Sequence, residues 1–384
     1  MFADFQVYLL LVACTVTGFW LLPYTRPRLR AWWLILASAT IVYKISPAAL
    51  LAAFLMTVTV FVSIKALEKK QSGAILWGAI LLLIAITQIQ KYWSEYSVIL
   101  SIGLSFVLLK SIIVLVDTFQ RQESCREITL RDITLLNLFF PIFAAGPIER
   151  PENFVLTKLR SPFSPDQFVY GIGRFAIGVF KVQFLANTLL SGFIASEFSP
   201  GTANFPPKSF GEVYAYVVLR FLVIYLNFSG YTDMAVGVGR MLSLPIMENF
   251  RFPLIAQNIQ EFWQRWHLSL GNFINRYLFI PFARYSNGAI NMSIVASFLV
   301  VGLWHSVTLP YAIWGLLHGF GLVSVSIYKR FLTARPALNL LRQNWIYRGA
   351  ATALTISYVA WLSTFANSQD LEHAWAITGG LFSL

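Results

Sequence analysis

The stretch AALLAAFLMTVTVFVSIKA, residues 48–66, carries a single charged side chain, Lys65. A helix needs about 20 mostly apolar residues to cross the hydrocarbon of a bilayer, and this run is long enough to do so. Comparable runs lie on both sides of it, at 7–23, 31–46, 73–89, 96–117, 167–190, 211–229, 289–304, 309–328 and 349–366. The whole chain of 384 residues is 57% hydrophobic and 12% charged, with a mean hydropathy of +0.65. Soluble domains carry roughly 25% charged residues, so an ordinary globular protein is excluded. The expected fold is all-α: a polytopic transmembrane helical bundle of about 10–11 spans by that length criterion, with re-entrant or interfacial helices between them. ITLLNLFFPIFAAG, residues 133–146, is too short to span and contains Pro141. It reads as a re-entrant or broken helix, tolerated only where protein or a cavity covers the backbone.

The net charge of +12 raises nucleic acid as a partner. Nucleic-acid binders spread their cations over a continuous face, whereas these cations cluster between apolar runs: Arg26, Arg28 and Arg30; Lys65, Lys69 and Lys70; Arg121, Arg126 and Arg131. A fourth cluster, Lys329, Arg330, Arg335, Arg342 and Arg348, has no carboxylate within 329–348. No nucleic acid is expected. The clusters fall on alternate loops, so by the positive-inside rule that side is cytoplasmic and the N-terminus lies outside. MFADFQ has no basic n-region and no cleavage site follows it, which favours a retained first span over a signal peptide. Cys14 and Cys125 show neither disulfide nor metal spacing and read as core or lipid-facing residues. Without repeats or low-complexity tracts, residues 1–384 read as one membrane-embedded domain. Its parts are N-terminal spans (1–132), a motif-bearing core (133–330) and a C-terminal span (331–384).

Between Gly239 and Tyr285 the chain turns polar, aromatic and basic. Glu261 and Arg265, Phe262 and Trp266, and Trp263 and His267 are each four apart. At helical spacing this predicts an amphipathic helix with an ion pair, lying at the interface or dipping into the bundle. Ionisable groups within spans are costly and raise a functional reading. Arg174, Lys181 and Arg220 qualify, with a buried ion pair or an interface-reaching chain as the plainer reading. Lys110, near a span end, reads as a snorkelling side chain. Of the four histidines, His305 ends the run VVGLWH, His318 lies within WGLLHGF, and His267 and His373 lie outside the apolar runs. A buried imidazole needs a partner, so His318 is read either as a satisfied structural group or as a site residue, and His373 as structural. HExxH, CxxC, Walker, GxGxxG and GxSxG patterns are absent.

Three stretches in order carry a resemblance. They are FAAGPIERPENF (143–154), NFSGYTDMAVGVGRMLSLPIMENFRFP (227–253) joined to EFWQRWHLSLGNFINRYLFIPF (261–282), and GLWHSVTLPYAIWGLLHG (302–319). Together they resemble the membrane-bound O-acyltransferase (MBOAT) family, nearest its bacterial branch of alginate O-acetyltransferases and D-alanyl transfer proteins. The resemblance covers residues 140–330. It implies that His305, 38 residues after His267, is the catalytic histidine, with His267 the second characteristic polar group and His318 a further family histidine. Asn227, Ser229, Asp233, Trp266 and Trp304 come with the same motifs as substrate-contacting candidates. Two positions depart from the pattern: Ser306 stands where the family usually has Gly, and Arg276 where Asp is common.

The implied reaction moves an acyl group from a thioester to a hydroxyl in the bacterial cytoplasmic membrane. His305 would take the hydroxyl proton as general base. Asn227, Ser229, His267 and Trp266 are candidate donors to the oxyanion. No permanently bound cofactor is expected; acyl-CoA or an acyl-carrier-protein thioester is the donor substrate. The partners implied are membrane lipids, that donor (CoA or an acidic carrier protein), and the separate extracytoplasmic acetyltransferase to which many relatives pass the acyl group. The acceptor is expected to be a cell-envelope or exported glycan, with D-alanyl or longer-chain transfer to teichoic acid, lipid or protein as the alternative. Of other classes, a transporter would show related halves with matched helix breaks, which are missing. A non-catalytic scaffold is opposed by the retained His267 and His305.

Overall fold

The computed structural model describes residues 5–93, 98–121, 128–154, 157–198, 209–335, 342–367 and 371–381. Cys125 and Arg126 lie outside the described residues. Among those described there are helices and no strand, as the composition requires of a chain whose backbone must satisfy itself in lipid. Among the described residues six helices are long and apolar enough to cross a membrane, within Pro47–Lys69, Gly73–Gln90, Pro165–Glu197, Phe210–Met241, Leu309–Thr333 and Trp345–Ala366, and Phe5–Leu21 and Ile290–His305 are shorter apolar helices. The chain forms two compact units, Met1–Gly178 with Tyr231–Glu248 and Val179–Gly230 with Asn249–Leu384.

The first unit begins with α1 (Phe5–Leu21), α2 (Pro27–Ile45), α3 (Pro47–Lys69), α4 (Gly73–Trp93) and α5 (Val98–Phe119). Helix α3 shows why the apolar runs become discrete helices. Ser46 accepts from the Ala49 N–H and Pro47 occupies the first turn, where its missing N–H costs nothing. Its buried stripe, Ala52, Ala53, Met56, Val60 and Ile64, is central to the unit, since α3 contacts α2, α4, α5 and α6 (Leu130–Leu138). The 133–146 stretch is indeed broken: α6 stops at Phe139 and a single turn, α7 (Phe140–Phe143), follows it. Lys110 does not snorkel. It is 0% exposed, and its Nζ donates to the carbonyls of Leu136 at 2.7 Å and Asn137 at 3.4 Å. The break leaves the last carbonyls of α6 without intrahelical partners, and the ammonium answers them where water is absent.

Two further cations are structural in this unit. Arg30 was expected among loop charges but is buried in α2, donating to the carbonyls of Leu22, Leu159 and Ser161, with its guanidinium over the Phe19 and Trp20 rings. Arg174, on α8 (Pro165–Val179), bridges Asp233 at 2.8 Å and Glu248 at 2.6 Å, which is the buried-pair reading of that residue. Arg220 is exposed, in line with an interface-reaching chain. After α8 the chain continues as π-helix through Ser191 into α9 (Gly192–Glu197). Helix α10 (Phe210–Met241) runs well past the expected 211–229 and carries Asn227, Ser229 and Asp233.

The 239–285 segment is not one amphipathic helix. Helix α11 (Ile259–Trp263) is a short piece started by Asn258, whose side chain accepts from the Glu261 N–H. The chain then turns at His267, which has left-handed dihedrals (φ 47°), before α12 (Leu268–Phe273), a π turn and α13 (Ile280–Tyr285). The Glu261–Arg265 pair forms at 2.8 Å as its spacing predicts, but Trp263 and His267 do not share a helical face.

Helices α14 (Ile290–His305) and α15 (Leu309–Thr333) make the closest crossing in the second unit; α16 (Trp345–Asn367) and α17 (Leu371–Gly380) follow. A Cβ on Gly302 would stand 2.2 Å from the Tyr311 carbonyl oxygen, and one on Gly315 would stand 2.4 Å from that of Phe298. Small residues are how helices approach where lipid removes the hydrophobic drive to associate. Gly315→Val is expected to lower unfolding free energy by about 1–3 kcal/mol through overpacking. Gly173→Ala, inside α8 where a Cβ meets nothing within 4 Å, should instead raise it by about 0.5–1 kcal/mol through helix propensity. Thermal unfolding of the detergent-purified protein checks both.

Candidate active site

The second unit encloses a cavity of about 200 Å³ with three of the four histidines in its wall, His267, His305 and His318. Most of the remaining wall is apolar or aromatic, including Phe221, Phe228, Phe262, Trp263, Trp266 and Trp314. Beneath it lies a cluster of Val213, Val217, Phe221, Ala256, Phe262, Val359 and Ala360. The histidines are differently placed. His305 is exposed, the last residue of α14, while His267 and His318 are 4% and 2% exposed. The cavity therefore has an open side at His305 and two imidazoles set into its walls.

His267 is held by its neighbours. Residues 249–251 run beside 265–268, with Leu268 N–H donating to the Asn249 carbonyl at 3.0 Å and Arg251 N–H to that of Arg265 at 2.9 Å. The Asn249 side-chain oxygen accepts from the Ser269 backbone N–H at 3.1 Å and the Ser269 hydroxyl at 2.9 Å. A backbone N–H can only donate, so that atom is the oxygen. The His267 Nδ1 lies 3.2 Å from that oxygen and 3.4 Å from the Ser269 hydroxyl, so both polar groups of this turn meet one ring nitrogen. A left-handed residue other than glycine costs roughly 1–2 kcal/mol, and these bonds hold it in place. Burial, with the neighbouring His305 adding to it, lowers the His267 pKa to about 3, so the ring stays neutral near pH 7.

His318 is held differently. The Trp263 indole N–H donates to its Nδ1 at 3.2 Å. Trp314 meets its ring edge-on at 4.5 Å between centroids, and Phe298 lies at 6.3 Å, nearly parallel. Around His305 stand Trp304 at 4.4 Å, Trp314 at 5.5 Å and Tyr311 at 5.9 Å between centroids. Ser306 has extended backbone dihedrals (φ −160°) that any residue adopts, so its local conformation does not require glycine. Arg276 lies in the π turn with its guanidinium 5.6 Å from the Tyr277 ring centroid.

Of the residues expected from sequence, the cavity brings together His267, His305, His318 and Trp266, with Trp304 against His305. Asn227, Ser229 and Asp233 are not in its wall. Asn227 donates to the Val223 carbonyl of its own helix and Asp233 is paired with Arg174. Asn249, Trp263 and Trp314 were not singled out beforehand. Their positions in ENF, EFWQRWH and AIWGLLH were visible, but nothing in a linear motif says which residue will face an imidazole. A second cavity, of about 500 Å³, shares Trp263 with the first and is lined by Gln260, Gln264, Asn272, Asn275, Ser297 and Ser326. Lys329 donates to Gln260 Oε1 at this second cavity.

Residues 72–365 match the model of the MBOAT, membrane-bound O-acyltransferase family. The chain belongs to that family. It is 34% identical over 288 residues to a probable alginate O-acetylase, AlgI, of Pseudomonas putida, covering 74% of this chain and 56% of the relative. It is 27% identical over 323 residues to a peptidoglycan O-acetyltransferase of Helicobacter pylori, covering 77% and 59%. It is 25% identical over 287 residues to a teichoic acid D-alanyltransferase of Bacillus subtilis, covering 69% and 71%. The chain thus spans little more than half the length of the alginate relatives it matches. In this MBOAT chain the cavity histidines all lie within the matched region.

Proton linkage at His267 has a defined sign. Below its ordinary pKa of 6.5 the unfolded chain takes up a proton there, and the folded chain does not until near pH 3. The stability present above pH 6.5 is therefore lost as pH falls through that window, at about 1.4 kcal/mol per pH unit. His267→Asn should unfold with a shallower acid dependence than the wild type, compared by thermal unfolding from neutral pH to about pH 5.

Proposed function

We propose that this chain is an O-acyltransferase of the bacterial cytoplasmic membrane that moves an acyl group, acetyl in the favoured reading, from a thioester to a hydroxyl of a cell-envelope or exported polysaccharide. The observation that carries the reading is His305 at the open side of an aromatic cavity whose walls hold two further imidazoles. Transfer needs the hydroxyl proton removed as oxygen attacks the carbonyl carbon, and an accessible imidazole suits that task near neutral pH. The low polarity of the remaining wall disfavours water beside the thioester. Acetyl is favoured because the alginate and peptidoglycan relatives named above are acetyl-transferring proteins and the cavity is small. The D-alanyl alternative is supported by the Bacillus relative at lower identity.

The donor in this reading is acyl-CoA or an acylated carrier protein. Both present the thioester on an arm containing two amides and apolar methylenes, and the second cavity offers a mixed wall, with Gln260, Gln264, Asn272 and Asn275 beside Leu268, Ile274 and Phe298, that suits such an arm. The clustered cations support a cytoplasmic donor side with the N-terminus outside. Transfer to the final acceptor is direct or passes through a separate extracytoplasmic acetyltransferase.

The test uses cells making wild type or His305→Ala at matched membrane levels, with ester-linked acyl groups released from envelope and secreted glycans by mild base. The wild type should raise ester content and the variant should abolish the rise. The released acid names the acyl group. Equal ester content in the two strains would remove His305 as the base.

A further inference from the structure

His318 has no step in the reaction above, yet its surroundings define what its ring can do. Trp263 is a donor only, so the nitrogen that faces it, Nδ1, must be the acceptor, and the proton of the neutral imidazole resides on Nε2. The faces and edges of the ring are held by Trp263, Trp314 and Phe298. Its backbone is held as tightly: Gly315 and Gly319 flank it on α15 where a Cβ would meet Phe298 O at 2.4 Å and Val295 Cα at 2.9 Å. The side chain lines the cavity and is 2% exposed. With Nδ1 taken by the indole, the polar group the ring has left to present to the cavity is a fixed N–H donor.

His267 has its Nδ1 met by Asn249 and Ser269, which hold the ring in the cavity wall. Asn227 and Ser229, the donors expected from sequence, are not in the cavity wall. Trp266 lies against Phe221 and Phe262, stacked at 5.7 and 5.3 Å between centroids. The site thus sets one buried imidazole, its N–H fixed by an indole, beside the exposed His305.

Resting on the acyl-transfer reading, we propose that His318 is a catalytic residue whose Nε2–H stabilises the oxyanion, and that Trp263 is the positioning residue that fixes its tautomer. His305 takes the proton of the acceptor hydroxyl as the oxygen bonds to the thioester carbonyl carbon. The carbonyl electron pair moves onto its oxygen, where the His318 N–H meets it. As the pair returns, the C–S bond breaks and the thiol leaves with the proton held by His305, giving ester and free thiol.

The test compares wild type, His305→Ala, His318→Gln, His318→Asn and Trp263→Phe in everted membrane vesicles, at levels matched by immunoblot. [14C]Acetyl-coenzyme A is the probe, and base-labile label in polysaccharide is followed over a range of its concentrations. Glutamine carries an N–H near the position of imidazole Nε2, whereas asparagine carries it near Nδ1. His318→Asn should therefore lose about 10²-fold in kcat with KM unchanged, the cost of removing one oxyanion donor. His318→Gln should recover a large part of that loss. Trp263→Phe, which keeps the ring and removes the N–H, should lower kcat and leave KM alone. Equal activities of His318→Gln and His318→Asn, or a change confined to KM, would overturn the role of His318 while leaving acyl transfer standing. Wild-type vesicles with no more base-labile label than vesicles lacking the protein would overturn the acyl-transfer reading itself.

Discussion

Gly302, Gly315 and Gly319 bring α14 and α15 so near that a Cβ at any of them would come within 2.9 Å or less of a neighbouring backbone atom. In lipid, where helices gain little from hiding apolar surface, such close van der Waals contact is the main force that holds a pair together. Here it also fixes chemistry. His305 ends one helix of the pair and His318 lies in the middle of the other, so the crossing sets both imidazoles against one cavity. A looser crossing would leave the Trp263 indole without its acceptor and His318 free to exchange tautomers.

The buried polar groups divide by what answers them. Arg30 and Lys110 are surrounded by backbone carbonyls, and Arg174 by two carboxylates. An isolated charge in so apolar a setting would cost many kcal/mol, so each cation is matched by two or more oxygens of the fold. The histidines differ: Asn249 and Ser269 meet the His267 Nδ1, Trp263 donates to the His318 Nδ1, and both rings line a cavity. The indole settles the His318 tautomer and puts its proton on Nε2. A place in a cavity wall, rather than among backbone carbonyls, separates residues that can act from residues that hold the fold.

The same logic accounts for the left-handed His267. A continuous helix from Ile259 through Phe273 would have put Trp263 and His267 on one face, as their spacing suggested. Two hydrogen bonds that Ser269 donates to the Asn249 side-chain oxygen, with His267 Nδ1 at 3.2 Å from the same atom, offset the cost of one unfavourable backbone conformation. The turn they stabilise sends Trp263 towards His318 and His267 towards Phe228.

By itself the sequence determined the membrane-embedded all-α class, because apolar runs such as 48–66 leave the backbone no other way to satisfy itself in lipid. The break near Pro141 and the Glu261–Arg265 pair were also local enough to read. The family followed from the ordered motifs, and with it the three histidines that prove to share a cavity. The tertiary structure alone decided which motif residues meet. Asn227 and Asp233 bond away from the cavity, Arg30 and Lys110 become clamps on carbonyls, and Asn249 and Trp263 supply the partners of the imidazoles. The physical reason is that a side chain's polarity is written in its residue type, whereas its partner depends on contacts made across tens of residues. His318 and Trp263 are 55 positions apart in the chain and 3.2 Å apart in the fold.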